Sequence, residues 1–398
     1  MNKNLARKGQ LHKALSRRRH ARTIPTPVIE ESISATSERV AQDISGSRSG
    51  LWVVVAGLFL TLLVFAVVIA SPFLYSAVAP VVAPPQAPNQ SGSSEIPTPL
   101  VVRNALSGGV IVSSVEVQPL LVAISVDNML EGRPASGIDQ APWVFEFPAE
   151  STITLFMAVF DARQDVEEIG PVRSMRPYMI DFAQSLGAVA VHSGGSPDAL
   201  KDVAKNIPNR RSINEFSQTP YFWRDSNRSG PHNLYTALDR LREHPFVKAL
   251  TPALSPLLWQ EAPPAHQETP ASPVLTIGYL APYTVHWSYH PESKLLQRQD
   301  EKGTLEKTRA GATITANTVV IQFTDIKILD AVGRRNIRTL GQGDAMVVSN
   351  GTMELAHWVR KNANDRTTLV DVTGAPLPIN PGKIWWTVVP KNTAVSFE

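Results

Sequence analysis

The residues best equipped for chemistry fall between positions 127 and 233, at the ends of apolar runs or in loops. They are Asp127, Asn128, Arg133, Glu150, Arg173, Arg176, His192, Ser193, Ser196, Arg224, His232 and Asn233. Three or four arginines converging on one place would bind phosphate, carboxylate or sulfate, because the guanidinium fork matches those groups. The alternative is that each arginine is neutralised by a local acid such as Asp127, Glu150 or Asp181. Within the stretch His192-Ser-Gly-Gly-Ser-Pro197, Gly194 and Gly195 permit a sharp turn and close approach of a ligand. A helix starting at Pro197 would offer unpaired N–H groups to an anion. The competing reading is a strand–helix turn capped by Ser196, with no ligand.

Other chemistries fit less well. A serine hydrolase would need Ser193 or Ser196 beside His192 or His232, but Ser-Gly-Gly-Ser is not the G-x-S-x-G elbow, and Ser196 already serves as a cap. His286 and His290 are four apart on a predicted strand, where they do not converge as on a helix. No metal site and no cofactor is expected. Glu146, Glu150, Asp127 and Asp161 could supply the two carboxylates of a glycosidase. Trp143, Trp223, Trp287, Trp385 and Trp386 could stack on sugars or, more simply, fill a core. The chain has no cysteine, which excludes disulfides, thiolate metal sites and a cysteine nucleophile.

The elements that must position these residues follow from the pattern. Apolar, β-leaning runs at 119–126, 143–147 and 153–160 predict strands, and 188–191 predicts a buried strand before the glycine loop. Helices are expected over Pro177 to about Leu186, ended by Gly187, over Pro197 to about Lys205, and over Thr236 to Glu243. This order indicates an α/β or α+β domain over 118–250. A proline-rich linker, 251–273, precedes a smaller, mainly β domain over 274–398. Strand-like runs recur there at 285–289, 295–299, 319–323, 345–348, 355–359, 368–370 and 384–389.

Leu51 to Ala70 is an uncharged apolar run, about the 20 residues that cross a bilayer. A transmembrane helix over 51–71 is expected, as an uncleaved signal anchor despite the cleavage-like Ala77-Val-Ala79, and it would contact membrane lipid. Residues 1–50 hold ten Lys and Arg against four acids and predict a disordered cytoplasmic tail. A proline- and serine-rich spacer, 72–117, would follow on the outer side. Residues 51–398 carry 28 basic and 31 acidic side chains, so the ectodomain is not a nucleic-acid binder by charge.

Four ordered motifs carry a resemblance. They are Ala123-Ile-Ser-Val-Asp-Asn128 with Arg133-Pro-Ala-Ser-Gly137, Ile169-Gly-Pro-Val-Arg-Ser-Met-Arg176, Val191-His-Ser-Gly-Gly-Ser-Pro197 and Gly230-Pro-His-Asn-Leu-Tyr235. With Gly341-Gln-Gly-Asp-Ala345, Ser349-Asn-Gly351 and Leu377 to Trp385, they resemble the YerB-like family of bacterial envelope proteins, often lipoproteins, a two-part domain of unknown function. The resemblance covers about residues 118–390. It departs at Pro142 and Leu155, where the family commonly has an acid and an arginine, and in lacking the lipid-bearing cysteine, whose place the apolar span takes. It implies an envelope role, and with the apolar span and the positive-inside charge bias the expected protein is single-pass in the cell membrane, N-terminus cytoplasmic and C-terminal domains outside. The order of motifs also resembles that of LytR-CpsA-Psr phosphotransferases. That analogy would make Asp127, Arg133, Arg173 and Arg176 a pyrophosphate site. The expected partner is an anionic envelope glycan or carrier held by Asp127, Asn128, Arg133, Glu150, Arg173, Arg176, His192, Gly194, Gly195, Ser196, Arg224, His232 and Asn233. The competing readings are an envelope phosphotransferase or other envelope enzyme, and a non-catalytic scaffold that recruits a protein partner.

Overall fold

The structure, a computed structural model, describes residues 100–113, 118–205, 210–251, 254, 257–260, 272–279 and 281–398. The expected tail, the span at 51–71 and most of the linker lie outside them. Among the described residues, no helix is long and apolar enough to cross a membrane.

The core is a ten-stranded mixed sheet whose strands, labelled in chain order, are β1 (Leu121–Asp127), β2 (Trp143–Pro148), β3 (Thr154–Asp161), β4 (Val189–His192), β5 (Ser212–Asn214), β6 (Thr318–Thr324), β7 (Gly341–Ser349), β8 (Thr352–Arg360), β9 (Thr368–Asp371) and β10 (Ile384–Pro390). Their spatial order is β9-β8-β7-β6-β10-β2-β3-β1-β4-β5. Half come from each of the two sequence regions, joined where β10 runs parallel to β2, with Trp385 opposite Val144 and Trp386 opposite Phe145. The two regions therefore meet in one sheet rather than in two sheets of their own.

Both faces of the sheet are covered, which explains why its central strands read as continuous apolar runs. One face carries Phe145, Phe147, Met157 and Trp386 and packs against α1 (Pro177–Ser185) and α2 (Pro197–Ala204). The other carries Ile124, Phe156, Ile321 and Trp385. It packs against a five-stranded antiparallel sheet with the order 315–316, 295–299, 285–290, 274–277, 395–397, and against α3 (Leu238–Arg242) and α4 (Pro245–Lys248). Four of the five tryptophans weighed as sugar platforms, Trp143, Trp287, Trp385 and Trp386, are buried here as core.

Two expectations differ in detail. The end of the expected spacer forms a hairpin, Leu100–Arg103 with Val110–Ser113, and its turn is docked because the buried Trp143 donates Nε1–H to the Leu106 carbonyl at 2.6 Å. The helix expected from Thr236 is shorter: Leu234–Thr236 pairs with Phe222–Arg224 as a strand, and α3 starts only at Leu238.

Candidate functional site

β1, β4 and β5 are adjacent and parallel, so their carboxyl ends open at one edge. In sheets of this kind ligands bind outside those ends. Asp127 closes β1 and is fully buried. Its Oδ2 receives His232 Nδ1–H at 2.6 Å and lies 3.2 Å from Arg173 Nε, while Oδ1 accepts the Met129 N–H. An ionised carboxylate only accepts, so this bond places a proton on Nδ1 of the His232 ring.

Backbone lacing places these groups. Loop 170–173 lies along β1: Asp127 N–H donates to Pro171 O, and Arg173 N–H to Ser125 O. The loop bearing His232 continues into Leu234, whose carbonyl accepts the Val172 N–H at 2.6 Å. Beside this junction Glu215, just past β5, accepts Ser193 Oγ–H at 3.0 Å and Arg224 Nη2 at 3.1 Å, while Arg224 Nη1 donates to Asn233 Oδ1 at 3.0 Å. Asp127, Arg173, His232, Asn233, Arg224, Glu215 and Ser193 thus form one polar patch. The His232 side chain is 14% exposed and that of Arg224 46%.

The remaining site residues lie elsewhere. Arg176 forms a two-pronged pair with Glu150 at 2.6 and 2.7 Å and shares no hydrogen bond with the Asp127 group. Burial works against the Glu150 charge, but Arg176 overcomes it and holds the carboxyl below its ordinary range. Asn128 and Arg133 turn away from this patch: Asn128 Nδ2 donates to Thr154 on β3, and Arg133 pairs at 3.0 Å with Glu306 of the other sequence region. Neutralisation by local acids, the alternative weighed for the arginines, is what Arg173 with Asp127 and Arg176 with Glu150 display.

The glycine loop departs from its expected role. Gly194 has φ +64°, and a Cβ there would meet the Phe216 ring at 2.6 Å; one at Gly195 would meet the Met175 carbonyl at 2.9 Å. The space kept free by the glycines is filled by protein. Three of the loop N–H groups are engaged too, Ser193 with Arg173 O, Gly194 with Asn214 Oδ1 and Ser196 with Met175 O. Ser196 caps α2 by accepting the Ala199 N–H. His192 is buried against the Gly194 carbonyl, and burial pushes its imidazole down to about 4. The loop is the capped turn rather than an anion cradle.

Two residues central to the geometry were not singled out as candidates from the sequence. Glu215 follows a three-residue strand too short to show a period. Arg298 did carry a signal: it alternates with Leu296 on the inward face of its strand, and an inward charge demands a buried partner. That partner is Glu146, at 2.9 Å.

Comparison with known proteins agrees with this architecture. The N-terminal and C-terminal domain models of one protein family of unknown function, DUF3048, match residues 106–249 and 275–386. The chain belongs to this YerB-like family. It is 29% identical over 284 residues to a protein described as putative lipoprotein YerB from Bacillus subtilis (strain 168), covering 70% of this chain and 83% of that one. The crystal structure of YerB from Bacillus subtilis is similar to it with a TM-score of 0.64 at 27% identity, covering 74% of this chain and 99% of that one. The ten-stranded sheet runs through both family regions, and the Asp127 junction is built wholly from the N-terminal one.

Proposed function

We propose that this protein is anchored in the membrane by residues 51–71 and works on the outer side as a binding protein for an anionic envelope glycan or its carrier. The apolar span supports the anchoring, as does the description of the Bacillus subtilis relative as a putative lipoprotein. The observation that carries the binding reading is the Asp127–Arg173–His232 junction at the open ends of parallel strands, with the half-exposed Arg224 beside it. Asp127 and Glu215 hold the two guanidinium groups in fixed orientation, which lowers the entropy cost of engaging a ligand. The patch has balanced charge when His232 is neutral, so it suits a ligand mixing hydroxyls with single anionic groups better than a polyanion. Co-sedimentation of the full-length protein with isolated cell-wall polysaccharide tests this. Binding should weaken in Arg173→Ala and Arg224→Ala and persist in Arg176→Ala; equal binding in all three sinks the reading.

The His232–Asp127 pair favours one second reading, an envelope transferase with His232 as general base. Turnover of a polyprenyl pyrophosphate-linked glycan by the wild type and not by His232→Gln would support it.

A further inference from the structure

Directly after β6 the chain forms a hairpin, Ile326–Ile328 paired with Arg335–Ile337. Its base is fixed, because Ile337 is buried in the core and Ile326 packs against it. Its tip stands bare: Ile328, Leu329 and Val332 are 66%, 55% and 60% exposed. Large aliphatics bared so close together make a patch, unlike the single apolar residues found on any surface. The turn holds them in place. Asp330 Oδ1 accepts the N–H groups of Val332 and Arg334, each at 3.1 Å, and Leu329 N–H donates to the Arg334 carbonyl at 2.7 Å. Gly333, at φ +85°, is seated so closely on Ser151 that a Cβ would meet its backbone nitrogen at 2.8 Å.

The collar around this tip is basic. Asp325 is shared by Arg338 and Lys391, Asp330 serves Arg334, and the nearby Glu150 is taken by Arg176. Arg335 donates to the carbonyls of Ala149 and Ser151, which leave its charge uncancelled. Lys327 is exposed and pairs with no carboxylate among the described residues. Aliphatic side chains inside a net positive collar match an anionic bilayer, whose acyl chains take the aliphatics and whose headgroups take the cations. A protein-binding hot spot would favour Trp and Tyr, and the tip has neither. The tip also shares an end of the sheet with the Asp127 junction. β6 runs parallel to β10 and β10 to β2, while β2 and β1 are both antiparallel to β3, so the carboxyl ends of β6 and β1 lie on one side. Four strand spacings, about 19 Å, separate them along the sheet.

We infer that this hairpin tip is a membrane contact: Ile328, Leu329 and Val332 enter the acyl boundary of an anionic bilayer, and the basic collar engages its headgroups. The end of the sheet that bears Asp127 then faces the lipid surface. The inference rests on the anchoring proposed above, which confines the tip near a bilayer, since residues 72–99 reach about 90 Å even at full extension. A tethered contact needs little affinity of its own.

The chain has no cysteine, so a single introduced one takes a dye at a unique place. Full-length Ala331→Cys, carrying a nitrobenzoxadiazole dye between Leu329 and Val332, is reconstituted into phosphatidylcholine–phosphatidylglycerol vesicles, with and without lipid bearing a nitroxide on its acyl chain. Gln140→Cys, exposed ahead of β2 at the opposite end of the sheet, is the control. The nitroxide should take most of the emission at position 331 and none at 140. The triple variant Ile328→Asp, Leu329→Asp, Val332→Asp, altered only at exposed positions, should abolish the quenching at 331. Flotation of the vesicles reads the anchor separately. Floating protein whose tip is unquenched, is quenched no more than position 140, or is quenched equally in the triple variant overturns the inference and leaves the anchor standing. Protein that does not float overturns both.

Discussion

Two buried carboxylates in this molecule, Asp127 and Glu146, are each paired with an arginine but have opposite surroundings. Glu146 takes both forks of Arg298 at 2.9 and 3.1 Å, the Thr154 hydroxyl and the Trp385 indole N–H at 3.0 Å. Arg298 lies under the rings of Trp385, Phe156 and Trp287, at 4.8, 5.4 and 5.7 Å. The pair is walled in by rings and ties β2 to the second sheet. Asp127 takes one histidine and one arginine whose outer atoms stay at the surface. The same ion-pair chemistry is mortar when enclosed by aromatic rings; set at a strand end, it is the group to which the proposed function assigns recognition.

The largest expected effect breaks the mortar. Arg298→Met should lower stability by about 3–5 kcal/mol in urea unfolding, because it strands Glu146 without its cation. The double variant Arg298→Met with Glu146→Leu should recover much of that loss. Arg173→Ala should cost clearly less; equal losses would erase the contrast between the two carboxylates.

The two histidines sharpen it next. His192 is enclosed and stays neutral down to about 4, whereas an unfolded imidazole takes up its proton near 6.5. The unfolded state therefore binds more protons between those values, and stability falls as pH drops through that window, by about 3 kcal/mol in all. His192→Gln should flatten the unfolding free energy between pH 6.5 and 5, and an unchanged slope would show that His192 is not the source.

Smaller effects follow at the surface. Arg224→Ala should weaken binding of an anionic glycan about tenfold, or about 1.4 kcal/mol, with little change in melting. Ser196→Ala should cost about 1 kcal/mol of stability through the lost cap and leave binding alone. A loss of binding there would return the glycine loop to the site.

Much of this was legible in the chain. The runs ending at Val126, Phe147 and Phe160 gave the central strands, because burial on both faces writes a continuous apolar signal. Asp127, Arg173, His232, Arg224 and Asn233 were each visible as polar residues ending or linking such runs. Their partition was not. Arg173 and Arg176 are three residues apart, yet one turns to Asp127 and the other, at the start of α1, to Glu150. The merging of both regions into one sheet was hidden too, since the β10–β2 pairing spans more than two hundred residues and leaves no local pattern. The glycines misled for a plain reason: freedom of φ and room for a neighbour are written identically whether the neighbour is a ligand or Phe216.

On the proposed function the Asp127–Arg173–His232 junction is a recognition surface and the glycine loop is structural. Imidazole NMR of the full-length protein, titrated with N-acetylglucosamine 1-phosphate, tests it most directly. The His232 ring signals should shift with ligand while those of His192 stay fixed, and Arg224→Ala should abolish the shift. Movement of His192 with a silent His232 would contradict it.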